Sequence, residues 1–137
     1  MIKITILFFI LLNTASANFN GHWKGSGIYT YPNGTKAECM ETYIDLSKWG
    51  SKLTFSHDYL ICDNLNFVID SWKNKYTIKN QEIWIGDIIQ VGTYSNDKIV
   101  FSTSGMIDEM IEKIDENTIR YTLYEGYGGV VEFELYK

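Results

Sequence analysis

IKNQEIWIG (78–86), YSNDKIVFS (94–102) and IDENTIRYT (114–122) share one layout. Each ends a β-like run, turns over a polar tip that contains Asn, and opens the next run with an isoleucine. Their starts lie 16 and 20 residues apart. Turns at such intervals predict an antiparallel meander in which neighbours in sequence pair in space. Alternation then puts Ile83 and Ile85, Ile99 and Phe101, and Ile119, Tyr121 and Leu123 on one inner face. After a turn at Gly126–Gly129, Val131, Phe133 and Leu135 continue that face, with Glu132, Glu134 and Tyr136 pointing out.

The same pattern holds towards the N-terminus. Gly21–Tyr31 reads as a first strand, followed by the turn Pro32-Asn33-Gly34, where Pro presets one dihedral and Asn or Gly accepts positive φ. Thr35–Leu46 follows, with Met40, Thr42, Ile44 and Leu46 on one side. Leu53 with Phe55, and Phe67 with Ile69, mark further short runs. Ile107, Met110, Ile111 and Ile114 have helical spacing. The short connection to Thr118 fits a hairpin arm better, so residues 106–114 are read as strand. The fold predicted is all-β, with roughly nine or ten strands in an up-and-down meander. Closing it into a barrel removes the exposed edges, and a β-sandwich is the alternative.

MIKITILFFILLNTASA (1–17) reads as a secretory signal peptide. Lys3 gives the positive start, Ile4–Leu12 the apolar run and Ala15-Ser16-Ala17 the small-residue cleavage site. The run is shorter than the roughly 20 residues a membrane span needs, and no Cys follows the cut, so no anchor is expected. Cleavage between Ala17 and Asn18 leaves residues 18–137 as one domain, secreted or periplasmic. The chain carries a net charge of −5, and losing Lys3 with the leader makes it −6. Nucleic acid and anionic membranes are poor partners for such a surface. A basic protein is a compatible one. Cys39 and Cys62 pair in one way only, and an exported chain favours the disulfide over free thiols or a metal pair.

Gly21-His22-Trp23, at the start of the first strand, resembles the G-x-W signature of lipocalins and other calycins, and small calycin-like barrels of exported bacterial proteins above all. The resemblance implies a barrel with Trp23 at its closed end, a basic residue crossing the indole, for which Arg120 is the candidate, and an apolar cavity. The disulfide and the leader also look like that family. Met40, Ile44, Phe55, Phe67, Ile85, Phe101, Tyr121 and Phe133 are the inner-face residues expected to line such a cavity.

No catalytic, metal or cofactor motif is read in the chain. His22 alternates away from Trp23 and faces out, and His57 is expected to be a surface histidine rather than a haem ligand. Ser56-His57-Asp58 forms no triad, because consecutive strand residues point to opposite faces. Asp108, Glu109, Glu112, Asp115 and Glu116 read as a solvated strand face and not a calcium loop. No carboxylate pair for glycoside hydrolysis is identified. Among the tryptophans Trp49, Trp72 and Trp84, the last falls outside by parity, and with Tyr124 and Tyr136 it is expected to form an outer aromatic patch. Asn33-Gly34-Thr35 matches a glycosylation acceptor, which acts only in a glycosylating host. The leading expectation is a non-enzymatic exported protein holding a small apolar ligand. The alternative is a protein-binding module such as an inhibitor of a basic hydrolase. An enzyme, which needs a polar constellation inside the barrel, comes third.

Overall fold

The computed structural model describes residues 19–103 and 105–137. The leader at 1–17 and its cut before Asn18 lie outside the described residues. Twelve strands run in chain order: β1 Gly21–Thr30, β2 Lys36–Trp49, β3 Lys52–His57, β4 Leu60–Cys62, β5 Phe67–Ile69, β6 Trp72–Lys79, β7 Glu82–Ile85, β8 Ile89–Tyr94, β9 Lys98–Thr103, β10 Met106–Asp115, β11 Thr118–Tyr124 and β12 Val130–Tyr136. All pairings are antiparallel, and no described residue is helical.

The hydrogen-bonded order is β1-β12-β11-β10-β9-β8-β7-β6-β3-β2, and β2 returns to β1. Ten strands therefore close into a barrel, and the sandwich is excluded. The two strands beyond the expected number form a ribbon: β4 pairs with the first half of β2, and β5 with β4. The hairpin tips in 78–86, 94–102 and 114–122 turn where the shared layout places them. Asn80 and Gln81, both with positive φ, form the two-residue turn whose twist suits paired strands.

One unbroken row of facing residues crosses eight strands: Tyr29, Val131, Leu123, Glu109, Phe101, Gly92, Ile83 and Ile78. Residues directly opposed across a ladder share a face. Tyr29, Val131, Phe101 and Ile83 are buried, so the whole row faces inward. The next row holds Gly27, Phe133, Tyr121, Ile111, Ile99 and Tyr94. A Cβ at Gly27 would lie 2.7 Å from the Phe133 ring, so only glycine lets that ring close over β1.

Bulges decide which residues leave these rows. Gly25 faces Thr42 while Gly27 faces Cys39, so Met40 and Glu41 together oppose Ser26. Cys39 and Thr42 both turn in, and Met40, expected inside, is 63% exposed. On β10 the steps from Ile107 to Glu109 and from Lys113 to Asp115 each contain one extra residue. Ile107 and Ile114 are exposed and only Ile111 of the helical-looking set reaches the core. Residues 106–114 are strand as read, and the 3–4 spacing reflects two bulges.

Opposite ends of the barrel close differently. At the N-terminal end Phe19 and Trp23 are buried, and the Trp23 indole N–H donates to the Phe19 carbonyl at 2.8 Å. Phe19 meets the Tyr94 ring edge-on at 6.1 Å. Lys48 sits 5.5 Å over Tyr94 and Lys137 5.3 Å over Trp23. A cation does cross the indole, but it is Lys137. Arg120 points outward with its Nε 3.9 Å from Glu132, because it stands one residue out of phase with the inward Ile119 and Tyr121.

Candidate functional site

At the other end the β4–β5 ribbon covers only the β1–β2 side. Cys39 and Cys62 face each other across β2 and β4 and are disulfide-bonded. Leu60 of the ribbon is fully buried, and Phe67 stacks on Tyr29 with centroids 4.1 Å apart. Tyr29 donates to Glu125 and Tyr31 to Asp63, which ties the ribbon and the β11–β12 loop to β1. Burial first, and then the bond to Glu125, pushes the Tyr29 hydroxyl up to about 12. Phe67 thus belongs to this cover, on a strand outside the ten, and not to a cavity wall of the barrel.

On the β6–β10 side, inward-facing residues keep solvent-exposed surface. Trp72, Asn74 and Tyr76 alternate inward: Trp72 packs on Phe55 at 4.6 Å, and the Asn74 amide donates to the Tyr76 hydroxyl at 3.2 Å. Asn74 faces inward opposite Phe55, yet it is exposed. Beyond it Ile85 and Ile89 oppose each other on the rim, 49% and 56% exposed. Ile85 keeps its inner-face parity but stands on the lip and not in the core, because β7 ends with it, before the positive-φ Gly86. Phe55, Phe101, Tyr76 and Tyr121 pack across the middle of the barrel and form a floor. Ile44 and Phe133 are sealed beneath and beside it.

Glu109 stands in this opening. It lies deep among its neighbours while keeping part of its surface open. Its Oε2 accepts the Tyr121 hydroxyl at 2.6 Å. Desolvation pushes the carboxyl up to about 7, opposed by the Tyr121 bond and aided by nearby Asp108. Tyr121 is held well above the phenol range by burial and by Glu109, and Tyr76 is raised mainly by burial. Glu109 was expected on a solvated face. It lies two residues from buried Ile111 with no bulge between them and so shares its inward face, while the extra residue at Asp108 shifts the phase of Ile107.

His57 corrects a second expectation. It is 3% exposed and stands in the inward row Trp23, Ile44, His57, Trp72. Its Nδ1 binds the Asp58 carbonyl at 2.8 Å, which makes Nδ1 the protonated nitrogen of a neutral ring. Nε2 is buried without a hydrogen-bond partner among the described residues. Burial lowers the pKa, only partly offset by Asp58. The barrel interior therefore contains titratable groups that were expected on the surface.

The outer aromatics are not brought together. Trp84 lies on β7, its N–H 3.3 Å from Glu82 and its ring under Lys79. Tyr124 and Tyr136 sit at opposite ends of the barrel, several strands away. An outward row His22, Asp45, Ser56, Lys73 crosses four strands, with His22 Nδ1 2.7 Å from Asp45. Asp45 separates His22 from Ser56, so no serine relay forms. A groove of about 580 Å3 runs beside the disulfide between Met40, Ile61 and Leu65. No group of three metal-ligating side chains occurs among the described residues.

Met40 carried a signal that reading by strict parity passed over. Glu41-Thr42 are paired polar residues that break an apolar–polar alternation, which is where a bulge is inserted. Glu109, His57 and Asn74 carried a plainer one, since alternation from Ile111, from Leu53 and Phe55, and from Trp72 and Tyr76 places them on the inward face. No family model, curated protein or solved structure matches this chain.

Proposed function

We propose that this protein is an exported, non-enzymatic binding protein that takes a small apolar or amphipathic molecule into the open end of its barrel. The observation behind this reading is the contrast between the two ends. One is sealed by Phe19, Trp23 and Lys137, and the other leaves inward-facing Asn74, Glu109 and Ile85 reachable over an aromatic floor. Concave, mostly apolar sites with a few polar groups are the usual form of small-molecule sites. The disulfide fits export to an oxidising compartment.

Titration with the neutral fluorophore N-phenylnaphthylamine tests this. Binding should raise probe emission and change that of Trp72. Ile89→Lys, on the exposed rim, should weaken binding about tenfold or more without shifting the thermal midpoint. Equal binding by the variant, or none by the wild type, removes the mouth as the site.

A second reading is a protein-docking face at the groove of Met40, Ile61 and Leu65, for which the unusual exposure of Met40 and Leu65 speaks. With the acidic charge it fits a basic partner. Inhibition of a basic hydrolase at low salt, lost in Met40→Lys, is its test.

A further inference from the structure

We infer that the molecule held in the mouth carries a protonated amine, and that Glu109 receives it. This rests on the mouth being the ligand site.

Glu109 is the acidic member of an inward row that is otherwise aromatic or aliphatic apart from Gly92. One carboxyl oxygen is taken by Tyr121, and the other accepts no hydrogen bond from a described residue. No lysine, arginine or histidine among the described residues pairs with this carboxyl. An acid in a partly desolvated, aromatic setting without a cation is an incomplete pair. A ligand ammonium completes it, and the ring faces of the floor favour the same charge. A ligand carboxylate meets repulsion from Glu109 and from Asp108 beside it. The exposed Ile85 and Ile89 on the rim then suit an alkyl or other apolar tail.

Tyr121 and Tyr76, which face Glu109 from β11 and β6, stay neutral across the range of interest because both hydroxyls are pushed upward. Tyr29 and Tyr94, also turned inward, are likewise raised by burial, and His57, which packs on the Phe55 ring, is turned inward too. Amine binding ionises Glu109 and releases its proton wherever the free acid is protonated, so affinity rises with pH.

The experiment is calorimetric titration with octylamine, 1-octanol and octanoate, which share a tail and differ in head group. At pH 8 octylamine should bind about tenfold or more tighter than octanoate. In Glu109→Gln that preference should vanish while octanol binding is unchanged, with circular dichroism confirming the fold. Should that variant not fold, the wild type alone decides, since its octylamine affinity should fall about tenfold or more from pH 8 to pH 5 while octanol affinity stays flat. Equal binding of all three probes, or an amine preference that survives in Glu109→Gln, overturns the inference and leaves the mouth reading intact. If none of the three binds, both fall together.

Discussion

Two side chains turned into the barrel give its stability opposite pH slopes. Glu109 has its folded pKa raised to about 7, so the folded state holds a proton that the unfolded chain releases near 4.5. Its contribution is present at low pH and is lost as pH rises through about 7. His57 has its pKa lowered by burial, so its neutral ring supports the fold above the ordinary imidazole value of 6.5 and withdraws support as pH falls below that. Thermal melts between pH 4.5 and 8 should therefore separate them. Glu109→Gln should remove the decline on the alkaline side, and His57→Phe the decline on the acid side. A pH profile unchanged by either variant contradicts their inward placement. The closed end offers a simpler comparison. Lys137→Ala should cost on the order of 0.5–1 kcal/mol by denaturant unfolding through its loss over Trp23, whereas Arg120→Ala should stay within about 0.5 kcal/mol. The G-x-W segment was legible in the sequence. Its cation was not, because a cation over a ring is a contact in space with no fixed offset along the chain.

At the level of strands, the bulges govern more than any residue type. On β10 the extra residue at Asp108 is absorbed against β9, and pairing with β11 begins only at Glu109. Deleting Asp108 should leave a regular ladder with Glu109 still inward, at a cost of about 1 kcal/mol and with the alkaline decline retained. Deleting Met110, two residues later, removes the residue between inward Glu109 and Ile111 and sends one of them out. That variant should lose cooperative unfolding, read by urea titration. Equal behaviour of the two deletions would falsify the bulge assignment. The hairpin layout of 78–86, 94–102 and 114–122 was readable because turn residues and period-2 alternation are local. Met40 was misplaced because a bulge resets that phase and is stabilised by the partner strand.

Across the whole molecule, the two ends differ in how the sheet is finished. The closed end is completed by Phe19 and Lys137, which flank Trp23, and the open end by a ribbon that reaches only part of the way. Cys39–Cys62 fastens that ribbon and closes a segment of 23 residues. Replacing both cysteines with alanine should cost roughly 3 kcal/mol in denaturant unfolding. It should also speed hydrogen exchange in β4 and β5 before it reaches β11 and β12. Uniform loss of protection argues instead that the ribbon is part of one cooperative core. The all-β class, the order of hairpins, the single disulfide and most of the inward aromatics follow from the sequence by itself. Strand alternation, turn chemistry and an even pair of cysteines each act over a few residues or admit one solution. Tertiary structure alone decided that β1 closes against both β12 and β2, that Lys137 and not Arg120 meets Trp23, and that Met40 turns out while Cys39 turns in. Those outcomes depend on where bulges are absorbed and on how far a closed barrel carries each strand, and such quantities exist only once distant strands are paired.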